Sequence, residues 1–152
     1  MELEQLRKFL IDSNNAGYAS GKPGVKEPDG STTINFEKDG WRSNDNFFGG
    51  EPYGGRTAVF YKGKPEWIMV YYGYVVEGAN FENVYKILRG ALMEMPEAHP
   101  YRGPAEFKQG QFVYRNSWTG ELDKFFGEEK IYENDALAYK ANYMGGLIDQ
   151  NR

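Results

Sequence analysis

The residues best suited to chemistry in this chain are carboxylates and one guanidinium set among aromatic rings. Glu66 stands beside Trp67 in an apolar run that continues through Tyr71. A carboxylate there is costly to desolvate unless it has a partner. An acid among rings is also the chemistry that holds an organic cation, through ring quadrupoles and one countercharge. A salt bridge to Arg56, or plain exposure after Pro65, would account for Glu66 equally well. Arg102, between Tyr101 and Gly103-Pro104, offers a planar fork to an anionic group, or ties its loop to Glu106 and to backbone carbonyls. Asp45-Asn46-Phe47-Phe48-Gly49 and Asp123-Lys124-Phe125-Phe126-Gly127 share the pattern Asp-x-Phe-Phe-Gly. Carboxylates facing a cleft and Asp-capped turns are both compatible with it.

Other chemistries find less to work with. Glu128, Glu129 and Glu133 invite comparison with the paired acids of sugar hydrolysis, but strand alternation puts Glu128 on the face opposite Glu129 and Glu133. No catalytic residue is assigned, and a hydrolase using Asp45, Glu66 or Glu129 is kept as an alternative. One histidine, His99, and no cysteine leave no transition-metal site, no thiolate nucleophile and no disulfide. Asn44-Asp45-Asn46 fails as a calcium loop, because Phe48 takes a ligand position and Gly55 stands where the last Glu belongs. No glycine cluster precedes a helix as a phosphate loop requires, so no cofactor is expected.

Composition narrows the partners. The 152 residues carry a net charge of −4 and 16% aromatics, twelve of them Tyr. Tyrosine joins apolar area to a polar tip and suits cavities, sheet faces and interfaces. No basic stripe is present to neutralise phosphates, so direct nucleic-acid binding is not expected. No apolar stretch is long enough for a signal peptide or a bilayer span. The expectation is a cytoplasmic protein that does not engage membranes.

These residues must be positioned by an alternation of helices and hairpins. Residues 2–16 read as a helix with Leu3, Leu6, Phe9 and Leu10 on one face. Turn chemistry makes 20–30 a loop. Strands are expected at 31–36, 41–48, 56–61 and 66–76, with turns at Lys38-Asp39-Gly40 and Lys62-Gly63-Lys64. The 66–76 strand is apolar on both faces, which predicts a central strand covered on both sides. A second helix spans 80–95, with Asn80 as its N-cap and Phe81, Val84, Tyr85, Leu88 and Leu92 on one side. The stiff segment 99–104 follows, then strands at 111–118, 127–133 and 138–145, the last hairpin turning at Asn134-Asp135.

A shift of seventy-two positions lays Tyr53 on Phe125, Gly55 on Gly127, Trp67 on Tyr139, Tyr71 on Tyr143 and Gly73 on Gly145. Such self-similarity marks a duplicated unit. The expectation is a single α+β domain over 1–152 with pseudo-repeats at about 1–76 and 77–148: an internally duplicated helix-plus-antiparallel-meander, two helices packed on a curved antiparallel sheet. The architecture resembles the two-fold sensor domains with which some bacterial regulators hold aromatic or cationic drugs, an analogy of fold only. The cleft between repeats would be walled by Glu66, Trp67, Tyr71, Trp118, Tyr139 and Tyr143, with Arg102 at its mouth. That predicts a small-molecule-binding, sensory domain. The alternative is an interaction module whose tyrosine-rich face forms a homodimer or meets a protein partner.

Several segments together carry a family likeness. They are Leu6-x-x-Phe9-Leu10 with Tyr18-Ala19, Asp45-x-Phe47-Phe48-Gly49-Gly50, and Gly63-x-Pro65-x-Trp67-x-Met69 with Tyr71-Tyr72-Gly73. Pro100-Tyr101-Arg102-Gly103-Pro104, Phe125-x-Gly127-x-Glu129-x-Ile131 and Gly145-Gly146-x-Ile148 extend it over nearly the whole chain. On these residues the chain resembles a bacterial and archaeal domain family of unknown function. Some members carry an upstream helix-turn-helix of the repressor type, so the resemblance implies a sensing or regulatory role. The chain starts at the first helix of that domain, and no DNA-binding module is expected in it. It departs at Thr57 and Val70, where the family pattern favours Glu and Asn; Glu129 and Asn142 keep them in the second half.

Overall fold

The computed structural model describes residues 2–17 and 23–151. Tyr18-Ala19 and the start of the expected 20–30 loop lie outside them. The first half holds α1 (Leu3–Ala16), β1 (Val25–Lys26), β2 (Thr32–Lys38), β3 (Trp41–Phe48), β4 (Tyr53–Tyr61) and β5 (Lys64–Val75). The second holds α2 (Phe81–Met93), β6 (Glu106–Gln109), β7 (Phe112–Glu121), β8 (Lys124–Glu133) and β9 (Ala136–Leu147). All strand pairs are antiparallel, in the order β1-β2-β3-β4-β5-β9-β8-β7-β6. The sheet is open, and the class is α+β.

Local chemistry sets the hairpins. Asp39-Gly40, Lys62-Gly63 and Asn134-Asp135 each place two successive residues at positive φ, the backbone whose twist matches that of the flanking strands. Asn80 caps α2 by accepting from the Asn83 N–H at 3.0 Å, satisfying one of the helix's orphan donors. Bulges interrupt β4 at Val59/Phe60 and β8 at Ile131/Tyr132, where extra twist is introduced.

Both helices lie on one face of the sheet. Leu6, Phe9 and Leu10 of α1 pack with Trp41, Val59, Trp67, Met69, Phe125 and Tyr143. Val84, Ile87, Leu88, Ala91 and Leu92 of α2 pack with Tyr114, Ile131, Tyr139 and Ala141. Trp67 and Met69 share a face with Tyr139 and Tyr143 through the β5–β9 register, where Tyr71 stands directly opposite Tyr143. The expected burial of β5 on both faces does not hold. It is the fifth of nine strands, yet Val70 and Tyr72 on its outer face are exposed, because both helices pack on the other face. Phe81 likewise sits outside the apolar side of α2. Among the described residues no helix is long and apolar enough to cross a membrane.

Candidate functional site

Between the two helices and the first half of the sheet the fold leaves a cavity of about 280 Å³. Strand alternation supplies its floor: Ser43, Asp45 and Phe47 from β3, Tyr53 and Thr57 from β4, and Trp67, Met69 and Tyr71 from β5. The helices supply its roof, Leu10, Ser13 and Asn14 from α1 and Tyr85, Arg89 and Leu92 from α2. Two side-chain bonds fix the helices over it. Ser13 and Ser43 join their hydroxyls at 2.6 Å, and Asn14 Nδ2 donates to the Leu92 carbonyl at 2.7 Å. Pro100, Tyr101 and Arg102 close one side.

Asp45 is the one carboxylate among the described residues that line this space. Its Oδ1 accepts from Tyr71 Oη at 2.5 Å and from Thr57 Oγ1 at 3.2 Å. Oδ2 receives no donor from the described residues. Burial pushes the Asp45 carboxyl up, against the lowering pull of those hydroxyls and of Arg102 and Arg56. Burial and then the adjoining Asp45 raise the Tyr71 phenol, so Tyr71 stays a donor at neutral pH.

Beside the cavity lies a second polar centre that is already closed. Arg102 Nε donates to Glu129 Oε1 at 2.8 Å, and Nη2 donates to Tyr53 Oη at 3.2 Å. Tyr114 donates its hydroxyl to Glu129 Oε2. Burial pulls the Arg102 guanidinium down, and the Glu129 carboxylate together with the oxygens of Tyr53, Tyr139 and Tyr114 more than offsets it, holding Arg102 charged. The guanidinium also lies 5.6 Å over the Tyr71 ring. Tyr143 Oη donates to Asn116 Oδ1 at 2.6 Å, and Asn116 Nδ2 donates to the Gly103 carbonyl at 2.8 Å, which anchors the 99–104 segment.

The match starts at the residue that carries the open carboxylate. A family model described as a domain of unknown function (DUF5680) covers residues 45–148. The chain belongs to the DUF5680 family. The matched stretch contains Asp45, Thr57, Tyr71, Arg89, Arg102 and Glu129, so both polar centres fall within it, while α1 lies before it. No curated protein and no solved structure matches the chain.

The structure brings together only some of the residues expected at the cleft. Trp67, Tyr71 and Arg102 line the cavity; Glu66, Trp118, Tyr139 and Tyr143 do not. Glu66 is buried away from it and accepts from Gln150 Nε2 at 2.9 Å. No ion pair with Arg56 forms there among the described residues. The reason is parity: on β5 the cavity takes Trp67, Met69 and Tyr71, and Glu66 precedes that series by one. Trp67 itself is 1% exposed, donates Nε1–H to the Leu122 carbonyl at 3.0 Å and stacks on Phe125 at 5.6 Å. It is a core residue whose edge meets the cavity. Tyr139 pairs its hydroxyl with that of Tyr53 behind the wall, and Trp118 packs on His99 at 5.0 Å. Arg102 is held inside by Glu129 and does not stand free at a mouth.

Asp45, for which a cleft-facing carboxylate was one of two readings, and Arg89 are the charged lining residues absent from the expected wall. Each carried a signal. Asp45 alternates with Trp41, Ser43 and Phe47, and Arg89 follows Tyr85 by one helical turn and precedes Leu92 by three residues. Among the described residues no group of three His, Asp or Glu could hold a metal ion. Asp45 and the capped Glu129 do not share the cavity, which leaves an acid–base pair without a second member.

Proposed function

We propose that this domain binds a small organic cation in the cavity, with Asp45 as countercharge and the rings of Tyr53, Tyr71 and Tyr85 as platform. One observation carries the reading: a single carboxylate faces ring-lined space, held by two hydroxyls on one oxygen and by no described donor on the other. A cation supplies what burial withholds, since it stabilises the charged form that desolvation disfavours. The volume, about 280 Å³, is nearly twice the roughly 150 Å³ that admits benzene in an engineered protein cavity. A ring with a short amine-bearing arm fits that scale. A sensory role, tied to regulation in related chains, follows from the family resemblance.

The test is calorimetric titration with benzylamine and phenethylamine. Losing one charge-assisted bond of about 1.5–3 kcal/mol predicts affinity roughly ten- to hundredfold weaker in Asp45→Asn. Equal affinity in the variant, or no binding to the unaltered protein, defeats the cation reading.

The same proposal takes the two halves as copies of one unit. What supports this is register: the bulges at Val59/Phe60 and Ile131/Tyr132 stand at the seventy-two-residue shift, and so do Trp67↔Leu147 and Tyr139↔Val75 about the central Tyr71↔Tyr143 pair.

A second reading has one observation in its favour. The outer sheet face carries Phe48, Val70, Tyr72, Phe126 and Met144, each 40–56% exposed, with Phe126 opposite Met144 and Met144 opposite Val70. At about 150–250 Å² per fully buried aromatic, this band supplies on the order of half the ~800 Å² per partner of a stable interface. Arg56 at one margin and Glu128 at the other would meet in a two-fold pair of copies. Sedimentation at rising concentration decides: a dimer that Phe126→Lys dissolves supports a homodimer, and a monomer throughout rejects it.

A further inference from the structure

We infer that the occupant of the cavity is zwitterionic, with an ammonium at Asp45 and an anionic group at Arg89, held apart by an aromatic or apolar body. The inference rests on the cation reading above and adds the second end of the ligand.

Two guanidiniums line the cavity, and they differ in what is already asked of them. Arg102 is 8% exposed and neutralised by Glu129 at 2.8 Å, with a further bond to Tyr53. A ligand anion there would have to compete with a buried carboxylate. Arg89 lines the same cavity from α2, is exposed, and makes no ion pair or side-chain hydrogen bond with any described residue. Its fork of donors therefore remains available for a carboxylate or a similar oxyanion.

Arg89 and Asp45 are also not in contact with each other. They approach the space from opposite sides, one from the helical roof and one from the strand floor. The same lining holds Tyr53, Tyr71, Tyr85 and Met69, surfaces for an uncharged body. With Asp45 ionised and Arg102 cancelled by Glu129, the two remaining charges of the lining are one negative and one positive. A ligand that carries one of each, at opposite ends, leaves neither unpaired. An α-amino acid, whose ammonium and carboxylate share one carbon, does not carry its charges at opposite ends of a body in this way.

The probes are 4-(aminomethyl)benzoate, benzylamine and benzoate, titrated calorimetrically into the unaltered protein and into Arg89→Gln. Arg89 is exposed, so the variant is expected to fold. A rim contact of this kind is worth up to roughly fivefold in affinity. The zwitterion should therefore bind about two- to fivefold more tightly than benzylamine, and benzoate more weakly than either. In Arg89→Gln that ratio should fall to about one while benzylamine is unaffected. Benzylamine binding as tightly as the zwitterion, or a ratio unchanged in Arg89→Gln, overturns this inference and leaves the cation reading standing. Tightest binding by benzoate, or binding by none of the three, overturns both.

Discussion

Asp45→Asn is expected to make the ligand-free protein more stable at neutral pH. Both hydroxyl bonds, from Tyr71 and Thr57, end on Oδ1, and an asparagine keeps that acceptor in place. What changes is Oδ2, which faces the cavity without a described donor. Burial is the largest influence on this carboxyl, outweighing Tyr71, Thr57, Arg102 and Arg56, and it lifts the group above its ordinary 3.8. An acid whose folded pKa lies above its unfolded value binds its proton more readily when folded. Stability therefore falls as the pH climbs through that interval, and stays lower above it. An unpaired buried polar group costs about 1–3 kcal/mol, and the two nearby arginines place Asp45 toward the low end, about 1 kcal/mol. For a domain of this size that is a rise in Tm of roughly 2–4 °C. Thermal unfolding of both proteins at pH 7 and below 3.8 is the assay. The variant should be the more stable at pH 7, and the gap should close in acid. A less stable variant, or a gap independent of pH, would refute the argument that this carboxylate is held at a cost.

Three further substitutions probe the frame around it. Trp67→Ala removes a fully buried indole, its bond to Leu122 and its stack on Phe125, so urea unfolding should show a loss of about 3–5 kcal/mol. That is a loss of fold, because the residue expected as a cleft wall is part of the core. Glu129→Ala strands the buried Arg102 and should also cost about 3–5 kcal/mol. Adding Arg102→Met should recover part of this, and the double-mutant cycle measures how much. Gly127→Ala would set a Cβ 2.0 Å from Tyr143 Cζ, a clash expected to cost about 1–3 kcal/mol or more, read as a lowered denaturation midpoint.

Much of the fold was legible because its turns are written in short-range chemistry. Asp39-Gly40 and Asn134-Asp135 took the positive-φ geometry their residue types favour, Gly63 did so with Lys62 beside it, and Asn80 caps the helix it was expected to cap. Strands β1 and β6 were missed. Val25–Lys26 is too short to show alternation, and Glu106–Gln109 carries only one apolar residue among polar ones. Both are edge strands, fixed by pairing with β2 and β7 rather than by their own pattern. At the site, Trp67 and Tyr71 were legible from aromatic alternation, and Asp45 could have been from the same parity on β3. Glu66 misled because a carboxylate beside rings in sequence points to the opposite side of a strand in space. Arg89 had only its helical spacing from Tyr85 and Leu92 to mark it, and one exposed arginine on an amphipathic helix otherwise looks like any solvated charge.

The two polar centres account for why one region of the sheet can stay open. On β3–β4 Asp45 stands opposite Thr57; on β7–β8 Asn116 stands opposite Glu129. Tyr71 and Tyr143, opposed on β5 and β9, each donate to the strand two places further out, Tyr71 to Asp45 and Tyr143 to Asn116. The arrangements correspond, but the acid has changed strands. In the second, Arg102 and Tyr114 occupy both oxygens of Glu129, so the region beneath α2 is neutral and closed around Tyr114, Ile131 and Tyr139. In the first, Asp45 accepts from Thr57 and Tyr71 and from no described guanidinium, and Thr57 is uncharged. A glutamate at 57 would set two carboxylates directly opposite each other with no guanidinium between them, and one would be forced to hold its proton. Threonine keeps Asp45 the single carboxylate among the described residues of the cavity lining, while the closed centre beside it holds the loop that forms the cavity's wall.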